Sequence, residues 1–394
     1  MLWENTFYED GQSVADRIAL LAEEVAPDRV AALAIEAREQ FKLRHVPLWL
    51  VRTLAKKGYV GTGRTLARII QRPDEMGEFL SMYWKDGRQP LSAQVKKGLA
   101  TAFPKFNAYQ LAKYNRPEGV KLRDALFLCH AKPQNAEQAE VWKKLVEGTL
   151  ESPDTWEVAL SAGKDKKETW ERLLTGNKLG ALALLRNLRN MKNVNVNEKV
   201  IFEALLRAKI ERILPFRFIT AARYAPQWED KLERLMFKCI EGHDKLPGTT
   251  ILLVDRSGSM SGLISGKSEI SRFDAACALA ILLREMCEEV KIFCFNSSVE
   301  QIAPRRGFAL RDAMGRPFNG TYLGQSVREM KNYPHDRLIV ITDEQSHDPV
   351  PNPQAKGYMV NVASYQNGVG YGAWTHIDGF SEAIINWIME YEKL

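Results

Sequence analysis

The sequence predicts a two-part protein, multidomain α and α/β: an all-helical array of short hairpins over residues 1–245, then an α/β domain over residues 246–394. Three observations predict it. Apolar side chains recur at three- and four-residue spacing up to about residue 245, short strand-like runs alternate with helical ones beyond it, and the net charge differs between the two stretches.

In the first part, "VADRIALLAEEV", "DRVAALAIEAREQF", "LGALALLRNLRNM" and "VIFEALLRAKIERIL" each place apolar residues on one helical face, and strand alternation is almost missing. Gly58, Pro73, Gly87, Pro104, Pro117, Pro133, Pro153 and Gly176 punctuate the pattern, so the helices are short and too numerous for a four-helix bundle. Stacked helical hairpins, an α-solenoid with a large concave surface, fit this better; no strict sequence period is visible, so any repeats have diverged.

After "EGHDKLPGTT" the order becomes strand "TILLVD", helix "RFDAACALAILLREMCEE", strand "VKIFCFN", helix "LGQSVREMKN", strands "RLIVITD" and "GYMVNVAS", and helix "GFSEAIINWIMEYE". Such an order builds a Rossmann-like, mostly parallel sheet, whose ligands gather at the carboxyl ends of the strands. Asp255 and Asp343 each lie just past a strand and are expected to converge there. The D-x-S-x-S spacing brings Ser257 and Ser259 into the same loop, Gly258 permits its turn, and "NGTYLG" supplies Thr321. Carboxylates with neutral hydroxyls make a hard oxygen site suited to Mg²⁺ and, without His or Cys, a poor one for zinc. The competing expectation is that the serines merely cap the next helix. A serine hydrolase would need a G-x-S-x-G elbow or a paired histidine, and a metal nuclease a second carboxylate cluster where only Glu344 is near; the chain reads as no enzyme.

A content of 45% hydrophobic and 26% charged residues is that of globular proteins, so disorder is not expected. No run reaches the roughly 20 apolar residues that cross a bilayer, and "MLWENTFYEDG" lacks a signal-peptide pattern, which predicts a cytoplasmic protein with no membrane association. The five cysteines show no CxxC and sit in apolar patterns, as reduced core residues do. The Gly-rich "YQNGVGYGAW" lacks G-K-[ST] and reads as a structural loop; whether Tyr365, Tyr371 and Trp374 line a surface stays open.

Charge is uneven. Residues 41–150 hold 20 Lys and Arg against 9 Asp and Glu, a local +11, whereas residues 246–394 carry −3. A basic excess confined to one region favours an acidic partner, nucleic acid first, because neutralising phosphates releases counterions.

Two resemblances sharpen these expectations. "DRSGSM", Thr321 and "ITDE" resemble the von Willebrand factor A fold with its metal-ion-dependent adhesion site, in which the metal commonly takes a partner's carboxylate as last ligand. Tyr322 departs from the acidic residue often found after the threonine in that family. "RHVPLWLVRTLA", "KGLATAFPKFNAYQLAKYNRPEGVKLRDALFLCHAKP" and "GALALLRNLRNM", followed by such a domain, resemble the TROVE module of the Ro autoantigen family over nearly the whole chain. That resemblance implies a monomeric ring of HEAT-like repeats bridged by the A domain, binding small structured Y-like RNAs outside and single-stranded ends of non-coding RNAs in its hole. It also implies RNA quality control or processing with an exoribonuclease. The chain is shorter than animal relatives, so Y RNA-reading loops are expected to be trimmed. The family's RNA contacts fall on Lys113, on Arg116 with a one-residue ambiguity in register, and on His130, flanked by Lys121, Arg123 and Lys132. Lys and Arg pair with phosphate, and an imidazole stacks on a base or donates to phosphate. The alternative is a metal-dependent protein-interaction or chaperone adaptor whose basic face is incidental.

Overall fold

The computed structural model describes residues 11–394 except 116–118, 164, 211–212, 214–215, 242–243, 265–269, 364–371, 380–382 and 394. Most of the Gly-rich stretch, with Tyr365 and Tyr371, lies outside the described residues, as does Arg116. The chain folds as two compact units, residues 10–164 and 165–394.

In the first unit helices pack on helices a few places along the chain. Pro27–Glu39 lies on His45–Lys56 and Thr62–Ile69, Thr62–Ile69 on Ala93–Ala102, and both Asp74–Tyr83 and Ala93–Ala102 on Leu122–Cys129. Their apolar stripes supply one core, in which Val51, Leu54, Leu66, Phe79, Leu99 and Phe103 are sealed from water. The approach of Thr62–Ile69 to Ala93–Ala102 requires glycine, since a Cβ on Gly63 would meet the Gln94 carbonyl at 2.7 Å and one on Gly98 the Gly63 carbonyl at 2.8 Å. Cations inside this unit are satisfied: Arg38 Nε donates to the Ile69 carbonyl at 2.9 Å, and Arg44 Nη2 lies 2.7 Å from Asp74 Oδ2.

The second unit is built on a sheet of β1 (Leu246–Asp255), β2 (Cys287–Phe295), β3 (Val299–Gln301), β4 (Arg337–Thr342), β5 (Lys356–Asn361) and β6 (Trp374–Asp378), ordered β3-β2-β1-β4-β5-β6. All neighbours are parallel except β3, an antiparallel edge. From β1 the chain moves to β2 on one side and later to β4 on the other, so a crevice opens beyond the carboxyl ends of β1 and β4.

Strands begin at Leu246, close to the expected boundary, yet compactness divides the chain at 164/165. The helix Arg272–Met286 explains the difference. Its "AACALAILL" run is apolar all round and buried on nearly every side, so it needs cover on both faces. It rests on β1 and β2, and the helices Phe216–Tyr224, Glu229–Ile240 and Gly307–Met314 pack against it, drawing helices before Leu246 into the α/β unit.

Two helices end sooner than their periodicity predicts. Glu198–Arg207 stops at Ala208, which turns extended (ψ 134°), and the following Ile210 is buried on its own account. The expected "CEE" end of the next long helix is the start of β2. The five cysteines are all free thiols, four of them buried. No helix among the described residues is long and apolar enough to cross a membrane.

Candidate functional site

β1 ends at Asp255, whose fully buried carboxylate is held from both sides: Oδ1 accepts from the Ser257 amide at 2.7 Å and Oδ2 from the Thr342 hydroxyl at 2.6 Å. Ser257 Oγ and Ser259 Oγ are 3.1 Å apart. Ser257 stands ahead of the short 3₁₀ turn Gly258–Ser261 but makes no side-chain cap, so capping does not account for its hydroxyl. The loop carrying Thr321 is sewn to this one, the Gly258 amide donating to the Asn319 carbonyl at 2.9 Å and the Phe318 amide to the Arg256 carbonyl at 3.0 Å. Thr321 is buried and its carbonyl accepts from the His347 amide at 2.8 Å. Tyr322, the departure from the family pattern, tilts against the His347 ring with centroids 5.5 Å apart.

Asp343, just past β4, is fully buried. Its Oδ2 accepts from Arg272 Nη1 at 2.9 Å, and the same nitrogen lies 3.4 Å from the Ser259 carbonyl. Its Oδ1 is buried with no hydrogen-bond partner. Burial first, and the Asp343 charge second, push the Asp255 carboxyl up to about 7 against the bonds from Ser257 and Thr342. Two buried carboxyls, of which only Asp343 meets a guanidinium, leave one unpartnered oxygen. In kind, this donor set fits a hard cation. It is sparse in carboxylates, for among the described residues no three His, Cys, Asp or Glu side chains gather as ligands. The further carboxylate, Glu344, faces His376 instead, with Oε1 at 3.0 Å from Nδ1.

The basic candidates lie in the first unit. Lys113 closes the helix Ala108–Tyr114, its Nζ 5.7 Å from the Tyr109 ring centroid and 5.8 Å from that of Tyr114. Lys121 sits at the N-cap of Leu122–Cys129, Arg123 lies in its first turn 3.7 Å from Asp124, and His130 ends it in the left-handed region at φ 53°. Lys121 and His130 flank the eight residues of this helix, roughly 13 Å apart along its axis at 1.5 Å per residue. Lys132 is exposed beyond it. His130 also borders a cleft of about 520 Å³ with Trp84, Arg88, Lys96 and Phe127.

Residues 142–241 match the family model of the TROVE domain. That stretch, about a quarter of the chain, is similar to a TROVE domain. No curated protein gives a significant sequence match. The fold is that of the Ro (RSR) protein of Deinococcus radiodurans, whose crystal structure matches with a TM-score of 0.68 over 95% of this chain and 93% of that one, at 20% sequence identity.

The TROVE match begins at Trp142 and ends at Glu241, just past the helix Glu229–Ile240, so the basic candidates precede it and the carboxylate site follows it. Sequence reasoning missed three features of these two regions. Arg272 and Thr342 hold the two carboxylates, and only folding brings Arg272 to an aspartate 71 positions away. Phe127 was legible: buried positions 122, 125, 126 and 129 define the helix's apolar stripe, and 127 falls outside it. Trp374 lines no surface, being buried with its indole N–H on the Pro351 carbonyl at 2.9 Å.

Proposed function

We propose that this chain is a non-catalytic RNA-binding protein of the Ro type, holding small structured, Y-like RNAs and single-stranded RNA ends in quality control or processing alongside an exoribonuclease. The observation that carries this is the +11 charge of residues 41–150, nearly all of it in one compact unit that presents Lys113, Lys121, His130 and Lys132 on consecutive elements. Arg116 belongs to the same set by its place in the sequence. Such a surface binds phosphate through counterion release, without a reaction step.

In this reading the helices form a solenoid of HEAT-like repeats and the sheet unit is a von Willebrand factor A-type domain in a cytoplasmic monomer. Asp255, Ser257, Ser259, Thr321 and Asp343 would hold Mg²⁺, which supplies a Lewis-acidic point for a partner's carboxylate. Asp343 has the oxygen to give, and the Ser257 hydroxyl, free of capping duty, lies beside that of Ser259.

Sequencing the RNA that copurifies with the full chain tests the function. Enrichment of small structured RNAs over total RNA is expected; a profile no different from total RNA contradicts it.

A further inference from the structure

We propose that the cleft between Trp84 and Phe127 is a pocket for one unpaired RNA nucleotide, its base stacked on the aromatic wall and its phosphate held by Arg88 and Lys96. The proposal rests on the RNA-binding reading and adds a base-receiving subsite to it.

The cleft measures about 520 Å³, within the range of small-ligand pockets, and no carboxylate lines it. Its two cations differ from the arginines that brace the packed helices of this unit. Arg44, Arg52, Arg68 and Arg72 are each paired with a carboxylate, whereas Arg88 and Lys96 have no such partner among the described residues. Arg88 lies instead over the Trp84 ring, its Cζ 5.2 Å from the centroid. The indole is fixed in turn by its N–H donating to the Gln89 carbonyl at 2.7 Å. A guanidinium laid on an aromatic ring is a platform on which RNA bases stack, and it keeps its N–H donors for phosphate.

The opposite wall is Phe127, 59% exposed although its helix buries a complete apolar stripe without it. A large aromatic left in water beside unpaired cations has no packing role to account for it. His130, turned out of the helix by its left-handed backbone, adds a third flat ring. Neutral apolar ligands leave the cations unused, and an A-form duplex is too wide to enter; an unpaired nucleotide uses both the rings and the charges.

The test compares an octaribonucleotide of adenosine with an octamer of the same phosphate count made of abasic riboses, by fluorescence anisotropy on the full chain at fixed salt. Wild type is expected to prefer the adenosine octamer about tenfold, as stacking of one base on an aromatic ring allows. Phe127→Ala should erase the preference while leaving abasic affinity unchanged, and Phe127→Tyr should restore it. Because Phe127 is exposed, these substitutions open no core. Arg88→Ala should weaken both octamers and flatten the salt slope. Equal affinity of wild type for the two octamers overturns the pocket and leaves the electrostatic reading standing, as does a preference that survives Phe127→Ala. Failure of wild type to bind either octamer overturns both.

Discussion

Arg272 places its guanidinium 2.9 Å from the carboxylate of Asp343, the former 12% exposed and the latter fully buried. The chain thus supplies a permanent cation to one of the two carboxylates expected from the sequence to hold Mg²⁺. Asp343 is left with one unpartnered oxygen, and Asp255 with a carboxyl that its surroundings resist ionising. A divalent ion binding here would have to share Asp343 with Arg272 or displace it.

Arg272→Ala is therefore expected to destabilise the metal-free protein by about 3–5 kcal/mol, the cost of leaving a buried charge without its partner. Mg²⁺ should recover a larger part of that loss than it adds to wild type. Thermal unfolding with and without Mg²⁺ reads both quantities. In Asp255→Asn the Mg²⁺-dependent shift should vanish; if it persists there, or is absent from Arg272→Ala, these residues do not hold the ion.

His130 adopts φ 53° at a helix end, a conformation that costs a residue with a Cβ roughly 1 kcal/mol more than glycine. His130→Gly should accordingly keep or raise stability by up to about 1 kcal/mol while RNA affinity falls. Urea unfolding and RNA titration of one variant separate the two effects. A marked loss of stability with unchanged affinity would make the imidazole a structural group.

At the end of the chain, Glu392 accepts from Arg337, from the Tyr358 hydroxyl at 2.9 Å and from Lys356 at 3.1 Å, fastening the last helix to the starts of β4 and β5. Burial alone would raise its carboxyl, but these donors outweigh burial and hold it at about 2, against an ordinary 4.5. A depressed folded-state value means that the contribution is complete above about 4.5 and is lost as pH falls from there through about 2. Unfolding free energies across this window should slope accordingly in wild type and less steeply in Glu392→Gln; parallel curves would contradict the linkage.

The strands that place the site were legible because each is a continuous apolar run ended by a polar residue. "TILLVD" and "RLIVITD" are buried on both sheet faces, and Asp255 and Asp343 fall where the runs stop. β3 is three residues long and β6 five, too short for a pattern to stand out from a loop. Helix ends were misjudged where tertiary burial overrides periodicity, as at Ile210 and Cys287. Arg272 was illegible in principle, since nothing near it in sequence announces Asp343. Phe127 was readable but concealed, because an apolar residue inside an apolar word looks like core until the stripe is drawn.

The central claim, that the basic helical unit meets RNA phosphates, is tested most directly by the salt dependence of binding. An RNA hairpin with a single-stranded 3′ tail is titrated with the full chain and with Lys113→Ala/Arg116→Ala across a range of salt. For wild type, log K should fall linearly with log salt. In the double variant the affinity should drop and the slope flatten by about 0.7 for each lost contact to a single strand. A variant slope identical to wild type, or wild-type binding that does not change with salt, would contradict the account.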